Sequence, residues 1–131
     1  MVEGLQSRPT ILFVEDDDEV REGIKSRLEE AGYAVASVRN EAEAIQLVAN
    51  DGLDISLILL DQSMHSDKAI AAGRRIRTRA MLQSSVPLVV LPFEYEDAME
   101  GQDLTMGEHD HKTYMTDTEQ LAMLLERLLP V

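Results

Sequence analysis

Glu15 and Asp16 follow the apolar run Ile11-Leu12-Phe13-Val14 without a break, and Asp61 follows a second apolar run, Ile55-Ser56-Leu57-Ile58-Leu59-Leu60. Carboxylates are hard oxygen donors, and three of them gathered at one edge suit a hard divalent cation. Without a cation the like charges repel and cost stability. Asp17, Asp18 and Glu19 continue the first acidic run and read as the opening turn of a helix, where acids complement the macrodipole.

Bringing Glu15, Asp16 and Asp61 together requires two parallel strands ending at the same edge. Short continuous apolar runs separated by helix-length segments read as strands buried on both faces, with a ligand crevice at their carboxyl ends. Strand and helix signals alternate five times along the chain. Val20, Ile24, Leu28 and Ala31 recur at helical spacing before Gly32, which supplies a stop. A short strand, Ala34 to Ser37, precedes Asn40 and Glu43, which open a second helix carrying Ala44, Leu47 and Val48 up to Asp51-Gly52. Asp67 can cap a third helix with Ile70, Gly73 and Ile76 or Arg77 on one face, and Pro87 and Pro92 bracket the strand Leu88-Val89-Val90-Leu91. Thr116 with Glu119 opens the last helix, where Leu121, Leu124, Leu125 and Leu128 form one apolar stripe before Pro130.

The segment from Glu94 to Met106 has few apolar residues and an internal Gly101, so its helix is expected to be short or irregular. The fifth strand falls near His109 to Tyr114 and is polar enough to be an edge strand. The expected fold is a doubly wound (βα)5 α/β sandwich with a five-stranded parallel sheet in the order 2-1-3-4-5.

The chain has 131 residues, a size for one domain with a real core. Its formal charge of −13 argues against direct nucleic-acid binding, which needs a concentrated basic surface. With no cysteine there is no disulfide, no thiolate metal site and no Cys nucleophile; this fits a reducing compartment. No apolar stretch approaches the roughly 18 residues of a membrane span, and Met1-Val2-Glu3-Gly4 shows no signal-peptide pattern. The expectation is a soluble cytoplasmic protein with no membrane partner.

Val14-Glu15-Asp16 after an apolar strand, Leu59-Leu60-Asp61 followed by Met64, Val86-Pro87 before the fourth strand, and Thr118-Glu119-Gln120-Leu121 in the last helix together resemble the receiver domain of two-component response regulators. The resemblance spans roughly residues 9 to 129 and implies that residues 1–131 form a single receiver-like domain of flavodoxin-like fold. It further implies that Asp61 is the phosphoacceptor, attacking a phosphohistidine of a histidine kinase or phosphotransfer protein. Glu15, Asp16, Asp61 and the backbone carbonyl of Ser63 would then hold Mg²⁺. An ionised carboxylate needs no general base for this attack, and the cation neutralises charge as the phosphoryl moves.

The departures from the family pattern lie at its switch positions. The Ser or Thr that ends the fourth strand is replaced by Pro92, which has no hydroxyl and no N–H, and the small residue after it by Phe93. The lysine near the end of the fifth strand aligns with Tyr114, its following proline with Met115, and the preceding aromatic with His111. Lys112 is the alternative for that lysine; it shares a strand face with Tyr114, but the register needs a deletion before it and an insertion after it. Met64 is followed by His65 where the family commonly has proline.

Two readings follow. Either this is an atypical receiver still phosphorylated at Asp61, or it is a pseudo-receiver that binds a partner irrespective of phosphorylation. An independent phosphatase with an Asp nucleophile would want a second acid where Ser63 stands, so the domain is read as no enzyme beyond turnover of its own phosphate. His65, His109 and His111 could in principle hold a transition metal, although a polar strand usually leaves such groups solvated. Lys68, Arg74, Arg75 and Arg79 form either a dock for an acidic partner or an ordinary solvated helix face.

Overall fold

The computed structural model describes residues 8–62, 66–92, 97–114 and 117–129. In chain order the elements are β1 (Thr10–Val14), α1 (Asp18–Glu30), β2 (Ala34–Val38), α2 (Glu41–Asp51), β3 (Leu57–Gln62), α3 (Ser66–Arg79), β4 (Leu88–Pro92), a 3₁₀ turn (Asp97–Met99), β5 (Asp103–Thr105), β6 (Asp110–Thr113) and α4 (Thr118–Leu128). The strands form one sheet in the order β2-β1-β3-β4-β6-β5.

Strands β1, β3 and β4 are apolar on both sides because both sides are covered. Leu12, Val14, Ile58, Leu60, Leu88 and Val90 pack with Ala44 and Val48 of α2 and Ile70 and Ile76 of α3. The alternate residues, Ile11, Phe13, Leu57, Leu59, Val89 and Leu91, pack with Leu28 of α1 and Leu121, Leu124 and Leu125 of α4. Period-two alternation along each strand thus feeds two cores.

Local chemistry sets the ends of the helices. Asp17 caps α1 by accepting the Val20 amide, and Asn40 caps α2 by accepting that of Glu43. Gly52 closes α2 in the left-handed region at φ 60°. The cap of α4 differs from expectation: Asp117, not Thr116, accepts the Gln120 amide, because its carboxylate stands three residues before that N–H. Thr116 and Pro130 fall outside the described residues.

Two other expectations are corrected. Among the described residues the sheet has six strands, not five, and the sixth, β5, runs antiparallel to β6. The fifth parallel strand is therefore internal to the sheet and not its edge. Between β4 and β6 the described residues hold a single 3₁₀ turn, and four α-helices are present where (βα)5 implies five. A segment poor in apolar residues has no face with which to cover the sheet as a helix. It folds back instead as a short strand whose backbone polar groups pair with β6.

Gly73 marks the closest approach of α3 to the sheet. A Cβ built there would lie 2.3 and 2.5 Å from the two methyls of Leu88, a side chain with no exposed surface. Gly73→Val is expected to cost about 1–3 kcal/mol through overpacking, measurable as a lowered urea midpoint at unchanged slope.

Candidate functional site

The register of β1 and β3 pairs Val14 with Leu60, so one further step along each strand sets Glu15 beside Asp61. Asp61 itself pairs with Leu91 of β4. The Glu15 backbone is fixed by its amide, which donates to the Val38 carbonyl at 3.0 Å. Its carboxylate accepts the Asp17 amide at 3.0 Å and lies in hydrogen-bonding contact with the Asp16 and Asp61 carboxyls. Glu15 is buried, Asp61 half-buried and Asp16 exposed.

Burial, with the Asp16 and Asp61 carboxyls close by, pushes the Glu15 carboxyl up to about 8. Burial also raises Asp61 above its ordinary range, while the hydrogen bond from Glu15 partly offsets that rise. Two carboxyls in contact cannot both ionise cheaply, so the pair holds one proton, carried chiefly by Glu15. Arg21 borders the cluster without neutralising it: its guanidinium donates to the Glu15 carbonyl at 2.9 Å and pairs with Asp18 at 2.5 Å. Sequence reasoning missed Arg21, since only its spacing from Asp18 on the helix is visible in one dimension.

Whether a divalent cation fits can be judged from this donor set. Among the described residues no three acidic or imidazole groups converge into a ready ligand set. Mg²⁺, however, typically takes one or two carboxylates and completes its shell with water and phosphate oxygens. Glu15 and Asp61, in contact, half sheltered and reluctant to ionise together, meet that need. The histidine set finds no such support among the described residues. His109 lies beside Glu108, His111 beside Thr105, and His65 is outside the described residues.

The switch positions are distributed as follows. Pro92 ends β4 in register with Gln62; Ser63, Phe93 and Met115 lie outside the described residues. Lys112 pairs with Val90, two residues short of the rim, and is buried. Continuing that register sets Tyr114 level with Pro92, and Tyr114 is 8% exposed. Its backbone is held on both sides: its amide donates to the Gln102 carbonyl at 2.8 Å, and its carbonyl accepts the Gly101 amide at 2.7 Å. His111 is half-buried, and burial lowers its pKa.

The cationic face of α3 is largely engaged within the molecule. Arg75 makes a two-pronged pair with Glu41 of α2 at 2.7 and 2.8 Å, and Arg79 approaches the same carboxylate at 4.0 Å. Arg74 pairs with Asp110 of β6 at 2.7 Å. Three of the four cationic residues singled out from sequence thus clamp α3 to its neighbours, which favours the structural reading of that cluster.

Comparisons with known proteins agree with this geometry. The family model described as response regulator receiver domain matches residues 11–126. The chain is 31% identical over 120 residues to the phosphate regulon transcriptional regulatory protein PhoB of Pseudomonas aeruginosa, covering 92% of this chain and 51% of that protein. It is 27% identical over 121 residues to the aerobic respiration control protein ArcA of Escherichia coli, covering 92% and 48%. It spans about half the length of these curated relatives. Among solved structures, the chemotaxis protein CheY4 of Vibrio cholerae superposes with a TM-score of 0.69 at 20% identity, over 94% of this chain and all of that one. A receiver domain protein from Clostridium thermocellum gives 0.70 at 17% identity, over 92% and 94%. These two likenesses establish the fold.

Proposed function

The chain belongs to the response regulator receiver domain family of two-component systems, and from that premise we propose that it accepts a phosphoryl group on Asp61 from a histidine kinase or phosphotransfer protein. The observation that carries the proposal is the juxtaposition of Glu15 and Asp61 at the carboxyl edge of the sheet, where burial raises both carboxyls above their ordinary range. Glu15, Asp16, Asp61 and the Ser63 carbonyl would hold Mg²⁺. Bound there, the cation would supply charge neutralisation for the transferring phosphoryl, and the carboxyl pair would give up its proton in holding it.

In this reading the side chains divide the work. Asp61 presents its carboxylate oxygen as nucleophile from the rigid end of β3. Glu15, anchored through its own amide and through that of Asp17, takes up or releases the proton that sets the charge of the site. Asp16, exposed beside it, contributes a further oxygen ligand. Pro92 offers the phosphoryl neither hydroxyl nor amide hydrogen, and at the lysine position Tyr114 brings a phenol in place of an ammonium. The phosphorylated state is thereby deprived of two charge-assisted hydrogen bonds. The test is incubation with acetyl phosphate and Mg²⁺, read by intact mass. A Mg²⁺-dependent phosphoryl adduct should form on the native chain and be absent from Asp61→Asn; equal labelling of that variant would refute the assignment.

A second reading, that of a pseudo-receiver engaging its partner constitutively, draws on the β5–β6 hairpin. Asp103 accepts hydrogen bonds from Thr113 and from Gln120 at 3.0 Å, and pairs with Arg127 at 3.3 Å. With the backbone clasp on Tyr114, this network ties β5, β6 and α4 into one block next to the switch positions. Asp103→Ala removes an exposed acceptor serving three donors, of which the Thr113 hydroxyl is buried, and is expected to cost about 0.5–1.5 kcal/mol, seen as a fall in Tm. If the hairpin holds one surface fixed, Asp61→Asn should leave partner affinity unchanged, while Asp103→Ala should weaken it.

A further inference from the structure

We propose that a cavity at the opposite pole, where α3 meets the amino-terminal ends of β4 and β6, binds the oxyanion group of a small phosphate-bearing molecule. Leu88, the first residue of β4, pairs with Asp110, the first of β6, so this place lies across the full length of the sheet from Asp61. The cavity measures about 470 Å³ and is lined by Arg74, Arg77, Thr78, Leu82 and Ser84. That size falls within the roughly 300–1,000 Å³ of small-molecule sites, and no lining residue is acidic.

Two guanidinium groups converge here on one carboxylate. Arg74 Nε donates to Asp110 Oδ2 at 2.7 Å, and a terminal nitrogen of Arg77 donates to the other oxygen. Asp110 is 5% exposed, so it balances one of the two charges and leaves a net positive charge at the cavity wall. The Arg77 side chain is 13% exposed, its second terminal nitrogen reaches the Ser84 carbonyl only at 3.4 Å, and its buried Nε has no hydrogen-bond partner. An ion pair that served packing alone would need one arginine; the second leaves unspent donors in a sheltered place, a cost of the kind that native structures rarely carry without reason.

The arrangement is also prepared for an anion. Asp110 holds both guanidiniums in position before any ligand arrives, which reduces the ordering cost of binding. Guanidinium groups match the paired oxygens of phosphate, and the hydroxyls of Thr78 and Ser84 stand on the same wall. Leu82 offers an apolar surface for the body of the molecule. The overall charge of −13 opposes anions at long range, but at physiological ionic strength charges farther than about 8 Å are largely screened. Locally α3 carries Lys68, Arg74, Arg75, Arg77 and Arg79 against Asp67, and the two acids from other elements that pair with these arginines, Glu41 and Asp110, still leave the surroundings of the cavity positive.

The test is an NMR titration of the full chain with inorganic phosphate and, separately, glycerol 3-phosphate, without Mg²⁺ and at constant ionic strength. Saturable shifts are expected at Arg77, Ser84 and the Asp110 region, unchanged in Asp61→Asn. Tighter binding of the ester would assign the site to a phosphorylated metabolite, and equal binding to free phosphate. Arg74→Ala leaves Arg77 paired with Asp110 and should weaken binding at least tenfold, whereas Arg79→Ala should not. Non-saturating shifts, shifts spread evenly over α3, or undiminished binding by folded Arg74→Ala would overturn the proposal.

Discussion

Replacing Pro92 by threonine and Tyr114 by lysine is expected to tighten beryllofluoride binding at Asp61, in the presence of Mg²⁺, by roughly ten- to hundredfold for each restored contact. The magnitude follows from charge-assisted hydrogen bonds worth about 1.5–3 kcal/mol. Pro92 is half-buried at the end of β4, so a threonine hydroxyl there replaces a ring at the strand terminus and not in the core. Tyr114 is more deeply set, and its backbone is held by Gly101 and Gln102; that clasp survives a side-chain change. Affinity for the mimic should rise in each single variant and roughly add in the double, unless the two groups share one oxygen. Beryllofluoride binding that is already tight in the native chain and indifferent to both changes would mean that other groups meet the phosphoryl.

Glu15→Gln is expected to abolish the loss of stability that this group causes as pH rises and to remove most of the response to Mg²⁺. The folded-state pKa of Glu15, about 8, lies above its ordinary 4.5. Between those values the native state keeps a proton that the unfolded chain releases, so this group's contribution is intact below about pH 4.5 and is lost as pH rises toward 8. The loss is on the order of 5 kcal/mol. Glutamine keeps the shape and abolishes the titration. Metal-free Glu15→Gln should therefore match the native protein near pH 5 and exceed it in Tm near pH 8.5. Mg²⁺ should raise the native Tm more at the higher pH, where less proton must be displaced, and raise that of the variant little. Parallel Tm profiles for the two proteins would show that Glu15 is not the proton carrier.

Legibility from the sequence tracked physical redundancy. Strands β1, β3 and β4 are unbroken apolar runs, and their ends at Glu15, Asp61 and Pro92 were placed to within a residue or two because several side chains agree on each. The caps at Asn40 and Gly52 were readable for the same reason, one residue type at one geometrical position. The segment before β6 was not. Gln102, Asp103, Leu104 and Thr105 carry no periodicity, and their pairing with β6 depends on what else could cover Lys112 and Thr113, a three-dimensional question. The contact of Glu15 with Asp61 was legible only through strand order, since nothing in either local sequence points to the other. Arg74, counted as a member of a cationic surface, proved to be half of a pair of arginines closing on Asp110, and its companion Arg77 had been read only as a possible face residue. The long-range partners of polar residues, unlike those of leucines, leave no periodic trace.

The hairpin strand β5 also governs how the sheet ends. A parallel strand left at the rim would present a row of unsatisfied amides and carbonyls to any passing chain, and the charged residues of β6, Asp110 and Lys112, are buried and give it no exposed charged fringe. β5 caps that row and offers in exchange a margin only three residues long, bearing the Asp103 carboxylate. Short, charged margins are poor templates for strand addition. The same three residues, pairing where a crossover helix was expected, therefore make this side of the sheet self-terminating, so that crowding many copies together does not invite them to knit into fibres.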